Sequence, residues 1–230
     1  MRLPLEIAGG VGAGVVVTTL AWAASAGLPS GREQSENPVV WRLDTLASIG
    51  GCAPTVLGAP RVVEGGHAVW FNGVDDGLIL AANPLAGLQQ FTVEILFNPA
   101  ADGAEAQRFF HVEDEAASRV LLEIRLTPEG RWALDTFLLS GSHSLALLDR
   151  TKLHPTGAWH WVALRCDGHR MAHYVDGQME LEGAVDFAPM KPGRTSLGVR
   201  LNQVFWFKGA IREVRIHPAA LDAAALQRVP

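Results

Sequence analysis

An all-β fold, a two-sheet antiparallel jelly-roll sandwich, is predicted by three features of the chain. Short apolar stretches recur along it and are separated by Gly, Pro, Asn and Asp turns. Apolar and polar residues alternate within those stretches, which is the period of a strand and not of a helix. No strand–helix–strand alternation is present, which excludes a doubly wound parallel sheet. A chain of 230 residues suits one such domain, and a hydrophobic share of 48% supplies its core.

Residues 39–43 open the fold. Residues 61–63 and 68–71 are strands joined through Gly65 and Gly66, and Asn72-Gly73-Val74-Asp75-Asp76-Gly77 turns into a strand at 78–80. Residues 91–97 alternate cleanly before Pro99 ends the run. Phe91, Val93, Ile95 and Phe97 share one face, with Thr92, Glu94 and Leu96 on the other. Strands follow at 108–112, 120–126, 132–138 and 144–148. The rest fill 159–216, where Asp167-Gly168 and Asp176-Gly177 are hairpin turns. Only 221–227 reads as helical.

Residues 1–26 read as a signal peptide or membrane anchor. Arg2 precedes an uncharged run over 7–30, and Ala24-Ser25-Ala26 fits a small-x-small cleavage site. An uncleaved leader, long enough to span a bilayer, would be the sole membrane attachment. Residues 27–37 form a polar linker, and 38–230 the domain. Export to the periplasm or the extracellular space is expected. Gly9-Gly10-Val11-Gly12-Ala13-Gly14 lacks the preceding strand and the following acidic residue of a dinucleotide site. A net charge of −5 without a basic block argues against nucleic acid. Cys52 and Cys166 make no disulfide framework; one bridge or two buried thiols both remain open. No C-x-x-C pair points to a transition metal.

Trp159-His160-Trp161-Val162-Ala163-Leu164, Asp167-Gly168, Tyr174-Val175-Asp176-Gly177, Gly198-Val199-Arg200 and Phe207-Lys208-Gly209-Ala210-Ile211 stand in order. This pattern resembles the laminin-G-like modules of the concanavalin A-like lectin/glucanase superfamily. Phe71-Asn72-Gly73-Val74-Asp75-Asp76 and Phe91-Thr92-Val93-Glu94 resemble that family's earlier turn and strand, so the resemblance covers 38–217. It implies the sandwich, and a saccharide site on the outer face of one sheet. It leaves function open among lectins, adhesion modules and polysaccharide-cleaving enzymes.

Alternation sorts the polar residues by face. In 120–126, Leu122, Ile124 and Leu126 point one way and Leu121, Glu123 and Arg125 the other. In 108–112, Phe109 and His111 share a face. In 132–138, either Trp132, Leu134 and Thr136 or Ala133, Asp135 and Phe137 face the core; the first choice leaves Asp135 open. His160 opposes Trp159, Trp161 and Ala163, while Arg200 and Asn202 oppose Leu197, Val199 and Leu201. Arg125, Asp135, His160, Arg200, Asn202 and Lys208 are therefore candidate ligand-binding residues. Their cations suit anionic sugars. Any solvated sheet face shows the same alternation.

Catalysis has two possible sources. The paired-carboxylate strand of the superfamily's glucanases, Glu-x-Asp-x-x-Glu, is absent; Glu113-Asp114-Glu115 is consecutive, and its side chains alternate faces. A jelly-roll lyase is echoed by Glu123-Ile124-Arg125, His111 or His160, Tyr174 and Lys208. The set an enzyme would use is His111, Glu123, Arg125 and Asp135. Asp75 and Asp76 are candidate ligands for a structural calcium ion, or plain turn residues. The expected function is a non-catalytic recognition module for a glycan or cell-surface glycoconjugate. The alternatives are a polysaccharide lyase or hydrolase, and a structural adhesion domain.

Overall fold

A computed structural model describes residues 37–229. The leader 1–26 with its glycine run, and the linker up to residue 36, lie outside the described residues. The first sheet contains β1 (Val39–Arg42), β3 (Arg61–Val63), β4 (Ala68–Asn72), β6 (Phe91–Pro99), β12 (His160–Cys166), β13 (Arg170–Val175), β14 (Gln178–Ala184) and β16 (Lys208–His217). The second contains β2 (Thr55–Leu57), β5 (Gly77–Leu80), β7 (Ala106–Asp114), β8 (Arg119–Leu126), β9 (Arg131–Ser140), β10 (His143–Leu148), β11 (His154–Pro155) and β15 (Gly193–Leu197).

The first sheet runs β14-β13-β12-β6-β16-β4-β3, with β1 also on β16. The second runs β10-β9-β8-β7-β15-β5-β2, with β11 also on β9. Strand β16 is the seam of the first sheet. It pairs with β6 on one side, and with β4 and then β1 on the other.

Alternation built the core as expected. Phe91, Val93, Ile95 and Phe97 of β6 meet Val120, Leu122, Ile124 and Leu126 of β8, all buried. The ring of Phe97 stacks on Phe109, centroids 4.6 Å apart, and meets the edge of Trp132 at 5.1 Å. Such contacts add about 1 kcal/mol each beyond area burial. A polar bond also crosses the core, 3.0 Å between Thr136 Oγ1 and His173 Nδ1. Cys166 is buried and Cys52 half-buried, both as free thiols. Burial pushes the Cys166 thiol up to about 11.

Three expectations need correction. Residues 221–227 do not form a helix beyond one 3-10 turn at Ala223–Ala225. Their amides bond to the sheet instead: Leu221 N donates to Thr92 Oγ1 at 2.9 Å and Gln227 N to Glu94 Oε1 at 2.7 Å. Leu226 packs on Ala163, Ala172 and Tyr174, apart from the main core. Residues 218–229 therefore strap the outer face of the first sheet. Second, Phe109 and His111 do not share a face. A β-bulge between Arg108 and Phe110 sends both Phe109 and Phe110 into the core. Third, Arg200 and Asn202 belong to no strand; β15 ends at Leu197, and 198–207 is a loop.

The turn signals held. Asp176 and Gly177 have φ of 47° and 75°, the two positive values a tight two-residue hairpin requires. At Gly209 a Cβ would meet the Asn98 carbonyl oxygen at 2.4 Å and the Phe207 ring at 2.6 Å. At Gly65, also at positive φ, nothing lies within 4 Å. Among the described residues no helix is long and apolar enough to cross a membrane. Gly209→Ala is expected to cost at least about 2 kcal/mol in urea unfolding, and Gly65→Ala about 1 kcal/mol. Equal losses would refute the packing account.

Candidate functional site

The outer face of the second sheet carries a groove of about 220 Å³ lined by residues of β7, β8, β9, β10 and the 198–207 loop. With Val120, Leu122, Ile124 and Leu126 inward, Arg119, Leu121, Glu123 and Arg125 of β8 turn outward. Register then sets their neighbours. Arg108 of β7 lies opposite Glu123, and so does Asp135 of β9 from the other side. Phe137 lies opposite Leu121, and Ala146 of β10 opposite Phe137.

Two carboxylates directly opposite one another repel. The arginines resolve this. Glu123 Oε2 accepts from Arg108 Nη2 and Arg125 Nη2, each at 3.0 Å. Arg125 Nη2 also donates to Asp135 Oδ2 at 2.5 Å. Burial is the main influence on both acids and raises their pKa; Arg108 and Arg125 oppose it. Burial likewise pulls Arg108 down from its usual value. Arg108 Nε and Nη1 and Arg125 Nη1 are buried without a hydrogen-bond partner.

The 198–207 loop closes one side of the groove. Its ends are tied by Gly198 N to Phe109 O at 3.1 Å and Phe207 N to Gly198 O at 2.8 Å. Arg108 N donates to Phe205 O at 2.9 Å, and the Phe205 ring centre lies 3.8 Å from the Arg108 guanidinium. Gln203 and Phe205 both hold positive φ, 59° and 61°, which is uncommon away from glycine. Arg200 lines the groove from this loop and has no ion-pair partner among the described residues.

His111 is buried beneath the loop. Its Nδ1 accepts from Leu201 N at 3.1 Å, so the proton of the neutral ring sits on Nε2. Nε2 has no hydrogen-bond partner; Glu113 Oε2 is 3.7 Å away. Burial first, then the charges of Arg200, Arg119 and Arg108, lower its pKa to about 3. His111 pins the loop as a neutral ring.

Glu123, Arg125, Asp135 and Arg200 thus line one groove. The other candidates lie elsewhere. His160 is buried on the core side, Nδ1 at 2.8 Å from Asp176 Oδ2 and Nε2 at 3.1 Å from Pro155 O. Lys208 belongs to the first sheet and pairs with Asp102 at 2.6 Å. Asn202 is exposed at the loop tip. Tyr174 lies under the strap, so the lyase-like set is not assembled. Asp76 accepts from Ala59 N at 2.7 Å and Asn72 N at 2.9 Å; Asp75 accepts from Asn72 Nδ2 at 2.7 Å. The bonds to Asn72 close the turn, and the bond from Ala59 ties it to the segment after β2. No group of three or more His, Cys, Asp or Glu able to hold a metal occurs among the described residues. His169 and His173 stand four apart but go to different partners, Asp186 and Thr136.

Sequence reasoning missed Arg108, Arg119 and Phe205. Unbulged alternation places Arg108 on the core side with Phe110. Arg119 was legible once the β8 pattern is extended by one residue. Phe205 carried no signal, because its place depends on the loop's path.

The family model for the concanavalin A-like lectin/glucanases superfamily matches residues 72–227. No curated protein matches the chain. Among solved structures, domain 4 of a GH43 extracellular arabinanase from Geobacillus stearothermophilus, in complex with arabinotriose, is similar at 23% identity and a TM-score of 0.58. The match covers 82% of this chain and 97% of that one. The botulinum neurotoxin serotype D binding domain is similar at 12% identity and a TM-score of 0.61, over 82% of this chain and 50% of that one. The binding domain of botulinum neurotoxin DC in complex with SialylT is similar at 12% identity and a TM-score of 0.60, with the same coverage. The chain therefore spans about half the length of the neurotoxin domains it matches. These likenesses show the fold.

Two stability outcomes follow from the site. Glu123→Ala leaves two part-buried guanidiniums without their shared carboxylate and should cost about 3 kcal/mol in chemical unfolding; a loss near zero would refute the bridging role. The unfolded chain protonates His111 near its ordinary value of 6.5, but the fold does so only near 3. That contribution is complete above about pH 6.5 and drains as pH falls toward 3. His111→Asn keeps an acceptor for Leu201 N, and by about pH 4.5 should have lost less stability than the native chain, by on the order of 2 kcal/mol. Parallel pH profiles would contradict this account.

Proposed function

We propose that this chain, which belongs to the concanavalin A-like lectin/glucanase superfamily, is an exported glycan-recognition module whose ligand lies in the groove over β7, β8 and β9. The carrying observation is the contrast between the two outer faces. The strap of 218–229 lies across β6, β12 and β13 of one, while the other exposes a groove of ordered arginines and carboxylates flanked by Phe137 and Phe205. Such rings offer apolar area for a sugar face, and fixed guanidiniums offer directed hydrogen bonds. Arabinotriose in the similar arabinanase domain supports a saccharide ligand. The export component rests on the sequence of residues 1–26 alone.

Recognition is favoured over bond cleavage by how the acids are held. Glu123 and Asp135 are both paired with arginine, and the nearest histidine is neutral beneath a loop. A general base needs to reach the proton it takes.

The test is affinity electrophoresis of the purified full chain against neutral and acidic polysaccharides, with ultraviolet absorbance followed in parallel for unsaturated ends. Retarded migration without an absorbance rise is expected. Ala146→Trp, which fills the groove from an exposed position, should weaken binding at least about tenfold and shift Tm by no more than about 2 °C. An absorbance rise abolished by Glu123→Gln would replace this reading with a lyase. Binding to none of the polysaccharides would leave a structural adhesion domain.

A further inference from the structure

The glycan reading leaves the chemical class of the saccharide open, and the unbalanced charge of the groove narrows it. Both carboxylates in the row are engaged, Glu123 by Arg108 and Arg125, and Asp135 by Arg125. The cations are not used up in return. Arg200 has no carboxylate partner among the described residues, and three guanidinium nitrogens of Arg108 and Arg125 lack any acceptor. Arg119 meets one carboxylate, Glu113 at 3.9 Å, and lies 5.5 Å from the centre of the Phe137 ring. This surplus of positive charge lies on a chain whose net charge is −5, so the groove differs in sign from the molecule around it. Buried donors without acceptors are uncommon, and they mark places where a partner is missing.

We propose that the groove binds a saccharide bearing a carboxylate or sulfate group, with the anion held by Arg200 beside the Arg108–Phe205 pair; this rests on and deepens the glycan-recognition reading. Arg200 reaches over the groove from a loop fixed at both ends by Phe109 and Phe207, and from below by His111. The exposed Phe205 ring, held at positive φ over Arg108, places apolar surface next to the anion seat. A charged group and an apolar ring face at adjacent positions are what an acidic pyranose presents. A guanidinium can meet a planar carboxylate or a sulfate with two parallel N–H donors. His111 acts here as a positioning residue.

The experiment measures affinity of the full chain for polygalacturonate and alginate, which carry carboxylates, for dextran sulfate, and for neutral dextran and arabinan. Binding to at least one acidic polymer and weak or no binding to the neutral ones is expected. The acidic affinity should fall several-fold between about 20 and 200 mM NaCl. Arg200→Ala should weaken acidic binding about tenfold without altering Tm, since Arg200 holds no ion pair in the fold; Arg200→Lys should recover part of the loss. Arg61→Ala, exposed on the other sheet, should leave affinity unchanged. Preference for carboxylate or sulfate polymers identifies the anion. Neutral polymers bound as tightly as acidic ones, with Arg200→Ala silent, would overturn this proposal and leave glycan recognition standing. Binding to no polymer in either class would overturn both.

Discussion

The stacked rings of Phe97 and Phe109 join the two sheets, and much of the groove depends on that contact. Phe97 also meets Trp132 and Phe207, so one aromatic cluster gathers residues of β6, β7, β9 and the end of the 198–207 loop. Phe109 can enter this cluster only because β7 is bulged there. Without the extra residue its ring would point outward with Arg108 turned to the core. The bulge keeps Arg108 opposite Glu123, and still leaves His111, three residues on, facing the same side. The carbonyl of Phe109 then receives Gly198, and the ring of Phe207 packs back on Phe109 at 5.8 Å. A core contact thereby sets where the surface loop begins and ends.

The two outer faces show two treatments of the same pattern. Both sheets alternate apolar and polar residues. On the first, Thr92 and Glu94 are buried because the C-terminal strap lies across them and uses their oxygens as acceptors. On the second, Glu123 and Asp135 are buried by their neighbouring arginines and by Leu121 and Phe137. Removing a carboxylate from water costs several kcal/mol, which is recovered only where donors are well placed. The strap supplies backbone amides and β16 supplies His217; the groove supplies guanidiniums. The groove arrangement leaves donors over.

The architecture was legible in the sequence because period-2 alternation and Asp-Gly turns are local. The faces of β6 and β8 and the Asp176-Gly177 hairpin follow directly from neighbouring residues. Asp135 followed too, once Trp132 is assigned to the core. What escaped was non-local. The bulge at Phe109 is a misfit between two strands and leaves no mark in β7 alone. The strap's alanines and leucines suit a helix, yet side chains from β6 capture their amides. His160 looked outward by alternation against Trp161, but a strand has two sides, and its imidazole belongs to the core side beside Trp132 and His154.

The stiffness of the groove bears on what it can do. A free arginine loses considerable rotamer freedom when it grips a ligand. Here Arg108 is held by Glu123 below and Phe205 above, and Arg125 by two carboxylates, so most of that ordering is complete in the folded chain. The same pairing engages Glu123 and Asp135, and breaking it would leave buried cations behind. His111 is engaged by a different route, its acceptor nitrogen occupied by the loop it supports. An assembly of guanidiniums already ordered by carboxylates and by an aromatic ring is the feature on which the recognition proposed above rests.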